Sequence, residues 1–227
     1  MTPLDGVKVV ELARILAGPW AGQTLSDLGA DVIKVEAPEG DDTRRWGPPF
    51  LPDGSRDSAY YLCANRNKRS MTLNLKKPGA KEVLMRLVAE ADVVVENWRP
   101  DVKNKLGLDY ESLAKVNPRI ILASISGFGQ DGPYAWRPGF DQIIQGMGGL
   151  MSVTGDTDSG PFRAGLAVAD LSAGLYCALG ILAALHEREV SGRGQWVHSS
   201  LLHAQIAMMD FQVARFINEG SVPVQEG

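Results

Sequence analysis

A strand, a helix and a second strand follow one another between residues 7 and 36, and this order limits the possible folds more than any other feature of the sequence. The run 7–12 (Val-Lys-Val-Val-Glu-Leu) predicts the first strand, residues 19–28 predict a helix that Gly29 ends, and residues 31–36 predict the second strand. Strands joined through a helix pair in parallel, because the crossover returns the chain to the end where it started. The chain is therefore expected to begin with a βαβ unit.

The same alternation continues along the chain. Further strands are predicted at residues 71–75, 92–96, 119–126 and 195–198, and further helices at residues 79–91, 110–116, 142–150, 171–189 and 201–218. The segment 37–69 is polar, rich in Gly, Pro and Arg, and long for a connection within a compact domain, which is typical of a functional loop. Sequential βα units of this kind predict an α/β fold with an open, doubly wound, mostly parallel sheet of the Rossmann-like type.

Composition and charge exclude several kinds of protein. With 227 residues, 44% of them hydrophobic, and a formal net charge of −4, the chain can build a core and lacks the basic excess of a nucleic-acid-binding protein. No apolar run reaches membrane-spanning length without polar interruption, so no membrane partner is expected. Cys63, Cys177 and the three histidines show no metal-ligand spacing, which predicts no metal site and a reducing, cytoplasmic location.

Asp170 is a lone carboxylate between the apolar run 165–169 and the small-residue-rich stretch 171–180. An unpaired charge in apolar surroundings is costly, so it is expected either to cap a helix or to be kept for chemistry. The residues alone favour capping, because a helical run begins at Leu171. The two roles are compatible, since a carboxylate at a helix N-terminus is expected to stay ionised, as a nucleophile must.

Residues 127–132 match the spacing GxGxxG and follow a predicted strand, as in a dinucleotide-binding loop. The following residues begin with Pro133 and do not open a helix, which favours a tight glycine loop instead.

Basic residues recur in or beside the predicted loops. Each taken alone is expected to be a solvated surface charge, whereas together they could serve a polyanionic small molecule at the carboxyl edge of the sheet. They are Arg44, Arg45, Arg66, Lys68, Arg69, Lys76, Lys77, Lys103, Lys105 and Arg137.

A series of short motifs runs through most of the chain, at residues 3–12, 16–19, 28–36, 67–70, 91–100, 126–129, 138–141 and 191–194. In combination they resemble the family III CoA-transferases, the CaiB/BaiF group that includes formyl-CoA transferase and carnitine CoA-transferase. The related 2-methylacyl-CoA racemase belongs to the same group.

The resemblance implies a function and a site. CoA would pass from an acyl-CoA to a small carboxylic acid, with CoA and acyl-CoA as substrates and no tightly bound cofactor. Asp170 would be the nucleophile that forms first a mixed anhydride and then an aspartyl-CoA thioester. By family position, the CoA site would be lined by Arg14, Ile15, Leu73, Lys76, Asn97, Trp98, Lys105 and Arg137.

Three substitutions modify what the resemblance implies. Leu16 stands where formyl-CoA transferase has Gln, which argues against oxalate and formyl-CoA as substrates. Ala37 replaces a cation that some members place near the adenine. Phe140 stands where the racemases carry a proton-transferring His, which favours a transferase and leaves a racemase as the alternative.

The resemblance also implies a domain plan. Residues 1–218 would form the N-terminal part of the large CoA-binding domain, and residues 219–227 would begin a linker to a second domain that this chain lacks. The full-length protein would form an interlocked homodimer. A further alternative is a CoA-binding fragment that is inactive without its C-terminal part.

Overall fold

The structure, a computed structural model, describes residues 2–225 and contains a six-stranded parallel sheet. The strands are β1 (Lys8–Glu11), β2 (Asp31–Glu36), β3 (Arg69–Thr72), β4 (Val93–Glu96), β5 (Ile121–Ser126), β6 (Gly155–Asp156), β7 (Gly160–Pro161) and β8 (Trp196–Ser200). Strands β6 and β7 form a separate antiparallel pair, and the main sheet has the order β3-β2-β1-β4-β5-β8. The predicted α/β fold with a doubly wound parallel sheet is confirmed.

Ten α-helices and one 3₁₀ turn (Asp42–Arg45) connect the strands within residues 2–225. The helices are α1 (Ala17–Asp27), α2 (Ala59–Cys63), α3 (Ala80–Glu90), α4 (Pro100–Leu106), α5 (Tyr110–Val116), α6 (Asp141–Met147), α7 (Leu150–Val153), α8 (Val168–Ser191), α9 (Leu201–Met208) and α10 (Phe211–Glu219).

The sheet is buried on both faces. Helices α1, α8 and α9 cover one face, where Leu25, Val93 and Ile181 are fully buried, and α3 and α5 cover the other, around Leu84 and Leu113. This two-sided cover explains why the central strands β4 and β5 are mostly apolar in continuous runs, without the alternation typical of a half-exposed sheet.

Helix α8 is long and apolar enough to cross a membrane by length and composition alone. In the structure its inner side, which includes Ala173, Cys177 and Ile181, is buried against the sheet. The core therefore explains the apolar residues on this inner side of α8.

Several observed elements differ from the predicted ones. The segments Ala59–Cys63 and Pro100–Leu106 form α2 and α4, two helices that were not predicted. The single helix predicted at 201–218 is two helices, because Asp210 adopts a left-handed φ of +49° between them. The helix predicted at 142–150 ends at Met147, and Gly149, with φ +89°, separates it from α7.

The strand order positions the site. The chain crosses from β3 at one edge back to β4 beside β1, so the direction of winding reverses between β1 and β4. Doubly wound sheets bind ligands in the crevice at such a switch point, outside the carboxyl ends of the strands.

The domain plan stays a prediction. Helix α10 ends at Glu219, where the linker was expected to begin, and residues 220–225 have no regular secondary structure. Residue 1 of the expected domain and residues 226–227 of the expected linker lie outside the described residues.

Candidate active site

Two adjoining cavities open at the switch point. The β4-side cavity, about 490 Å³, brings together five of the predicted CoA contacts with the predicted nucleophile: Arg14, Ile15, Asn97, Trp98, Arg137 and Asp170. The β2-side cavity, about 470 Å³, contains Leu73 and Lys76. Arg14 and Trp98 line both cavities, so the two form one elongated cleft across the edge of the sheet.

Asp170 lies in the first turn of α8, yet it does not cap the helix. The helix begins at Val168, its N-cap position is Ala167, and Asp170 is its third residue. Among residues 2–225 no group donates a hydrogen bond to its carboxylate. The prediction that Asp170 is an N-cap at the start of a helix beginning at Leu171 is therefore wrong.

The same surroundings alter the ionisation of Asp170. Burial, and then the nearby negative charge of Asp141, raise the pKa of Asp170 to about 7. Both effects favour the protonated form of the carboxyl group. They act against the helix N-terminus, which was expected to keep this group ionised.

Asp141 takes the capping role that was expected of Asp170. One carboxylate oxygen, Oδ1, accepts a hydrogen bond from the backbone N–H of Ala169 at 2.9 Å, and Oδ2 accepts one from Gln145 Nε2 at 2.7 Å. Arg163 Nη2 lies 3.4 Å from the same Oδ2. Asp141 therefore stabilises the start of α8 from the neighbouring helix α6. The sequence did not predict this role, because the two residues in contact are 28 positions apart.

Two of the predicted contacts, Arg14 and Asn97, are joined by hydrogen bonds between the Asn97 side chain and the Arg14 backbone. Asn97 Oδ1 accepts from the Arg14 backbone N–H at 3.0 Å, and Asn97 Nδ2 donates to the Arg14 carbonyl oxygen at 2.7 Å. The Asn97 side chain is thus used to hold the turn after β1. The Arg14 guanidinium is exposed and pairs with Asp42 at 2.8 Å.

Lys105 is the one predicted contact that lies outside both cavities. It is exposed on α4, with Nζ 3.8 Å from Asp101 Oδ2. Its neighbour Lys103 points inward instead, and its Nζ lies 3.3 Å from Glu96 and donates to Ser124 and Gln130 at 3.1 and 2.7 Å.

Several other basic residues also form ion pairs with carboxylates. Arg66 pairs with Asp27, and Arg69 pairs with Asp31 at 2.6 Å. Lys68, 2% exposed, lies 2.8 Å from Glu11 Oε2. The expectation that each basic residue is a solvated surface charge is wrong for Lys68 and Lys103, which are buried.

A buried charge network under the switch point was not predicted. Lys34 Nζ lies 3.0 Å from both Glu11 Oε1 and Asp41 Oδ2, and all three side chains are at most 1% exposed. Burial works against the charged form of Lys34, but the two carboxylates outweigh it and the pKa of Lys34 lies above its usual range. The sequence did contain a signal, because charges inside fully buried parallel strands must be paired.

The glycine motif forms a tight loop, as expected. Gly127 and Gly139 pack backbone to backbone at the neck of the loop, since a Cβ added to Gly127 would lie 2.5 Å from the Gly139 Cα. No helix begins between the end of this motif at Gly132 and the start of α6 at Asp141. The Arg137 guanidinium stacks on the rings of Tyr134 and Trp136, at 4.1 and 5.2 Å, in the wall of the β4-side cavity.

The histidines contribute no shared site. The ring of His198 packs against Trp196, with centroids 3.9 Å apart and the ring planes tilted by 59°. Within residues 2–225 no group of three or more His, Cys, Asp and Glu side chains has an arrangement that could hold a metal ion.

The family model that matches this chain and two of its curated relatives are described as CoA-transferases. The sequence model of CoA-transferase family III matches residues 4–227. The succinate–glutarate CoA-transferase of Agrobacterium fabrum is 52% identical over 99% of this chain and 57% of its own length. The mouse succinyl-CoA:glutarate CoA-transferase is 44% identical over 96% of this chain and 49% of its own length.

A solved structure agrees with these relatives. A CaiB/BaiF family protein from Brucella suis superimposes with a TM-score of 0.96 at 52% identity, over 100% of this chain and 60% of that chain. The chain thus spans about half the length of the curated relatives it matches. The chain belongs to CoA-transferase family III.

Proposed function

We propose that the whole protein transfers CoA from an acyl-CoA to a carboxylic acid, with Asp170 as the nucleophile. The observation that carries this proposal is the position of Asp170 in a cleft whose other end is lined by charged side chains of both signs, with Lys76 exposed among them. The carboxylate has no competing hydrogen-bond donor within residues 2–225, so its oxygens are available to an incoming thioester.

The two cavities suit the two ends of CoA. The thioester would lie in the β4-side cavity at Asp170, and the pantetheine arm would pass Arg14 and Trp98, which line both cavities. The nucleotide end would then reach the β2-side cavity, where Leu73 offers an apolar surface to the adenine and Lys76 a charge to the phosphates. Arg137 and the Arg14–Ile15 turn would complete the contacts.

The chemistry proceeds without any change in oxidation state. The ionised Asp170 attacks the thioester carbonyl and expels the CoA thiolate, giving a mixed anhydride. The thiolate attacks the aspartyl carbonyl, forms the aspartyl-CoA thioester and releases the donor acid. The acceptor carboxylate then attacks that thioester, and the released thiolate returns to the acceptor acyl group, which frees Asp170.

We further propose that the acceptor is a dicarboxylate. The two relatives compared above are named for succinate or succinyl-CoA and glutarate. Arg163 supports this choice, because its side chain is 40% exposed and its Nη2 lies 3.4 Å from Asp141, which is bonded to the first turn of α8. A cation there could bind the carboxylate that does not react.

Racemisation is less well supported by the site. Phe140 lines the β4-side cavity together with Asp170, and its ring has no titratable proton to exchange with the α-carbon of a substrate. Incubating a 2-methylacyl-CoA in deuterated water distinguishes the two reactions, because only a racemase incorporates deuterium.

We also propose that the full-length protein is a homodimer in the cytoplasm. Large apolar side chains lie exposed on α8 and α10, among them Leu179 at 61% and Ile217 at 73%, and a partner subunit or the rest of the chain would cover them. Both cysteines are free, which fits a reducing compartment. Light scattering of the full-length protein gives the subunit number.

The test uses the full-length protein with succinyl-CoA as donor and glutarate or butyrate as acceptor. Wild type should form glutaryl-CoA and show a CoA adduct in its intact mass, whereas Asp170→Ala should lose both. The control Asp158→Ala, in the exposed turn between β6 and β7, should behave as wild type. Turnover by Asp170→Ala at the wild-type rate would contradict the proposal. Residues 1–227 assayed alone, with calorimetry of CoA binding, distinguish an active enzyme from a fragment that only binds CoA.

A further inference from the structure

Ile15 has an unusual backbone conformation at the centre of the cleft. Its φ is +71°, and it is the only β-branched residue within 2–225 with a left-handed φ. Such a conformation is strained for a residue with a branched Cβ and persists only where the surroundings impose it. The strain lies between β1 and α1, in the wall of the β4-side cavity.

Side chains from three other segments hold the backbone around Ile15. Lys34 Nζ donates to the Ala13 carbonyl oxygen at 2.9 Å, and Asn97 bonds both the N–H and the carbonyl of Arg14. The Ile15 N–H donates to the Asp41 carboxylate, at 3.1 Å to Oδ2 and 3.3 Å to Oδ1. Asp41 is therefore the group that bonds the strained residue itself.

Asp41 is firmly held in turn. Its side chain is 1% exposed, Lys34 lies 3.0 Å from Oδ2, and Thr43 donates to Oδ1 from both its backbone N–H and its hydroxyl. Lys34 is itself held by Glu11, directly opposite it in the β1–β2 register. The Asp41 carboxylate is therefore held in place and cannot move with Ile15 if the turn changes conformation.

The turn shapes the site on both sides. Arg14 lines both cavities, while Leu16 and Ala17 line the β4-side cavity with Asp170. If φ of Ile15 returned to its ordinary negative range, the peptide between Arg14 and Ile15 would rotate and Arg14 would move relative to Asp170. The φ angle of Ile15 therefore sets the position of Arg14 relative to Asp170.

We propose that Asp41 is a positioning residue for CoA transfer, which keeps Ile15 in its left-handed conformation and so keeps the cleft aligned with Asp170. This inference rests on the proposed function. Asp41 does not touch the reacting atoms, and its contribution acts through the backbone of Ile15.

A double-mutant cycle in the full-length protein tests this proposal. Asp41→Asn is combined with Ile15→Ala and, separately, with Ile15→Gly. Both changes at this position remove the same apolar contact, but only Gly adopts a left-handed φ without strain, an advantage of about tenfold in the equilibrium between the two conformations. Asp41→Asn should therefore lower kcat at saturating succinyl-CoA about tenfold more in the Ile15→Ala background than in the Ile15→Gly background.

The controls separate positioning from general stability. Asp42→Asn, which alters the neighbouring carboxylate that pairs with Arg14, should give the same fold-change in both backgrounds. Thermal unfolding should show Asp41→Asn lowering Tm no more in the Ile15→Ala background than in the Ile15→Gly background, because a turn that relaxes recovers part of the lost stability. If Asp41→Asn does not fold, Thr43→Val removes one donor to Asp41 and should give the same pattern with a smaller amplitude.

Equal effects of Asp41→Asn on kcat in the two backgrounds would overturn the proposal. Wild-type turnover and CoA binding are measured first, so a failure of the proposed function is recognised separately as a wild-type protein that does not transfer CoA.

Discussion

Asp141 accepts a hydrogen bond from the backbone N–H of Ala169 at 2.9 Å, and this bond places a second carboxylate beside Asp170. The Asp141 carboxylate is held by Gln145 and lies near Arg163, so its position is fixed. Burial and this neighbouring charge together raise the pKa of Asp170 to about 7. The bond that stabilises the helix start therefore also holds a negative charge that, after burial, contributes to the raised pKa of the proposed nucleophile.

The first prediction concerns Asp141→Asn in the full-length protein. Asn keeps an oxygen that can accept from Ala169 but has no charge, so the pKa of Asp170 should fall. Because the nucleophile reacts in its ionised form, the rate of CoA transfer rises with pH through that pKa. The acid limb of the pH profile of kcat should shift to lower pH by about one unit. An unchanged limb would show that the Asp141 charge does not act on Asp170.

The second prediction concerns stability. The native state retains the Asp170 proton up to about pH 7, whereas the unfolded chain releases it near pH 4. The native state thus binds more protons between these pH values, and this group makes the protein less stable as pH rises. Asp170→Asn removes that loss, so its free energy of unfolding should exceed the wild-type value at pH 8 by up to a few kcal/mol.

Denaturant titrations at pH 4.5, 6 and 8 test this second prediction. The advantage of Asp170→Asn over wild type should grow from the lowest to the highest pH. Asp158→Asn, in the exposed turn after β6, should show no such growth. A difference independent of pH would mean that the gain comes from packing and not from the charge of Asp170.

The third prediction concerns the close approach of α1 to the buried charge network. A Cβ added to Gly22 would lie 1.9 Å from Glu11 Oε2, and Glu11 is fully buried between Lys34 and Lys68. The carboxylate cannot move away without losing a cation, so Gly22→Ala should destabilise the protein by about 2–4 kcal/mol. Gly146→Ala is the matched control, since its nearest neighbour is Met151 Sδ at 3.6 Å. That change should be neutral or stabilising by up to about 1 kcal/mol.

Most of the fold followed from the sequence because the central strands β1, β4 and β5 are buried. The run Val93–Glu96 is buried at every residue, so its apolar composition was a direct signal of a parallel strand. Helix α4 was missed because its seven residues are mostly polar and only Lys103 is buried. The break at Asp210 could not be foreseen, since a left-handed φ at an Asp inside a helical pattern is imposed by packing.

The sequence predicted individual residues of the candidate site. It did not predict the contacts between residues that are distant in the chain. The switch point gathers most of the predicted contacts in one cleft, and the family resemblance supplied their positions. The capping error at Asp170 arose because the partner of the helix start is Asp141, 28 residues before Ala169 in the chain. No local sequence pattern distinguishes an Asp that caps its own helix from an Asp whose pKa is raised by a second carboxylate.

The last prediction concerns two adjacent lysines. Lys76 lines the β2-side cavity and Lys77 does not, although both are exposed and carry the same charge. If the nucleotide end of CoA lies in that cavity, Lys76→Ala should weaken CoA binding about fivefold or more through the loss of a phosphate contact. Lys77→Ala should change it less than about twofold, because a charge outside the cavity acts only through screened long-range attraction. Calorimetry at two salt concentrations measures the dissociation constant of CoA for each variant. Equal losses for the two variants would place the phosphates outside the β2-side cavity.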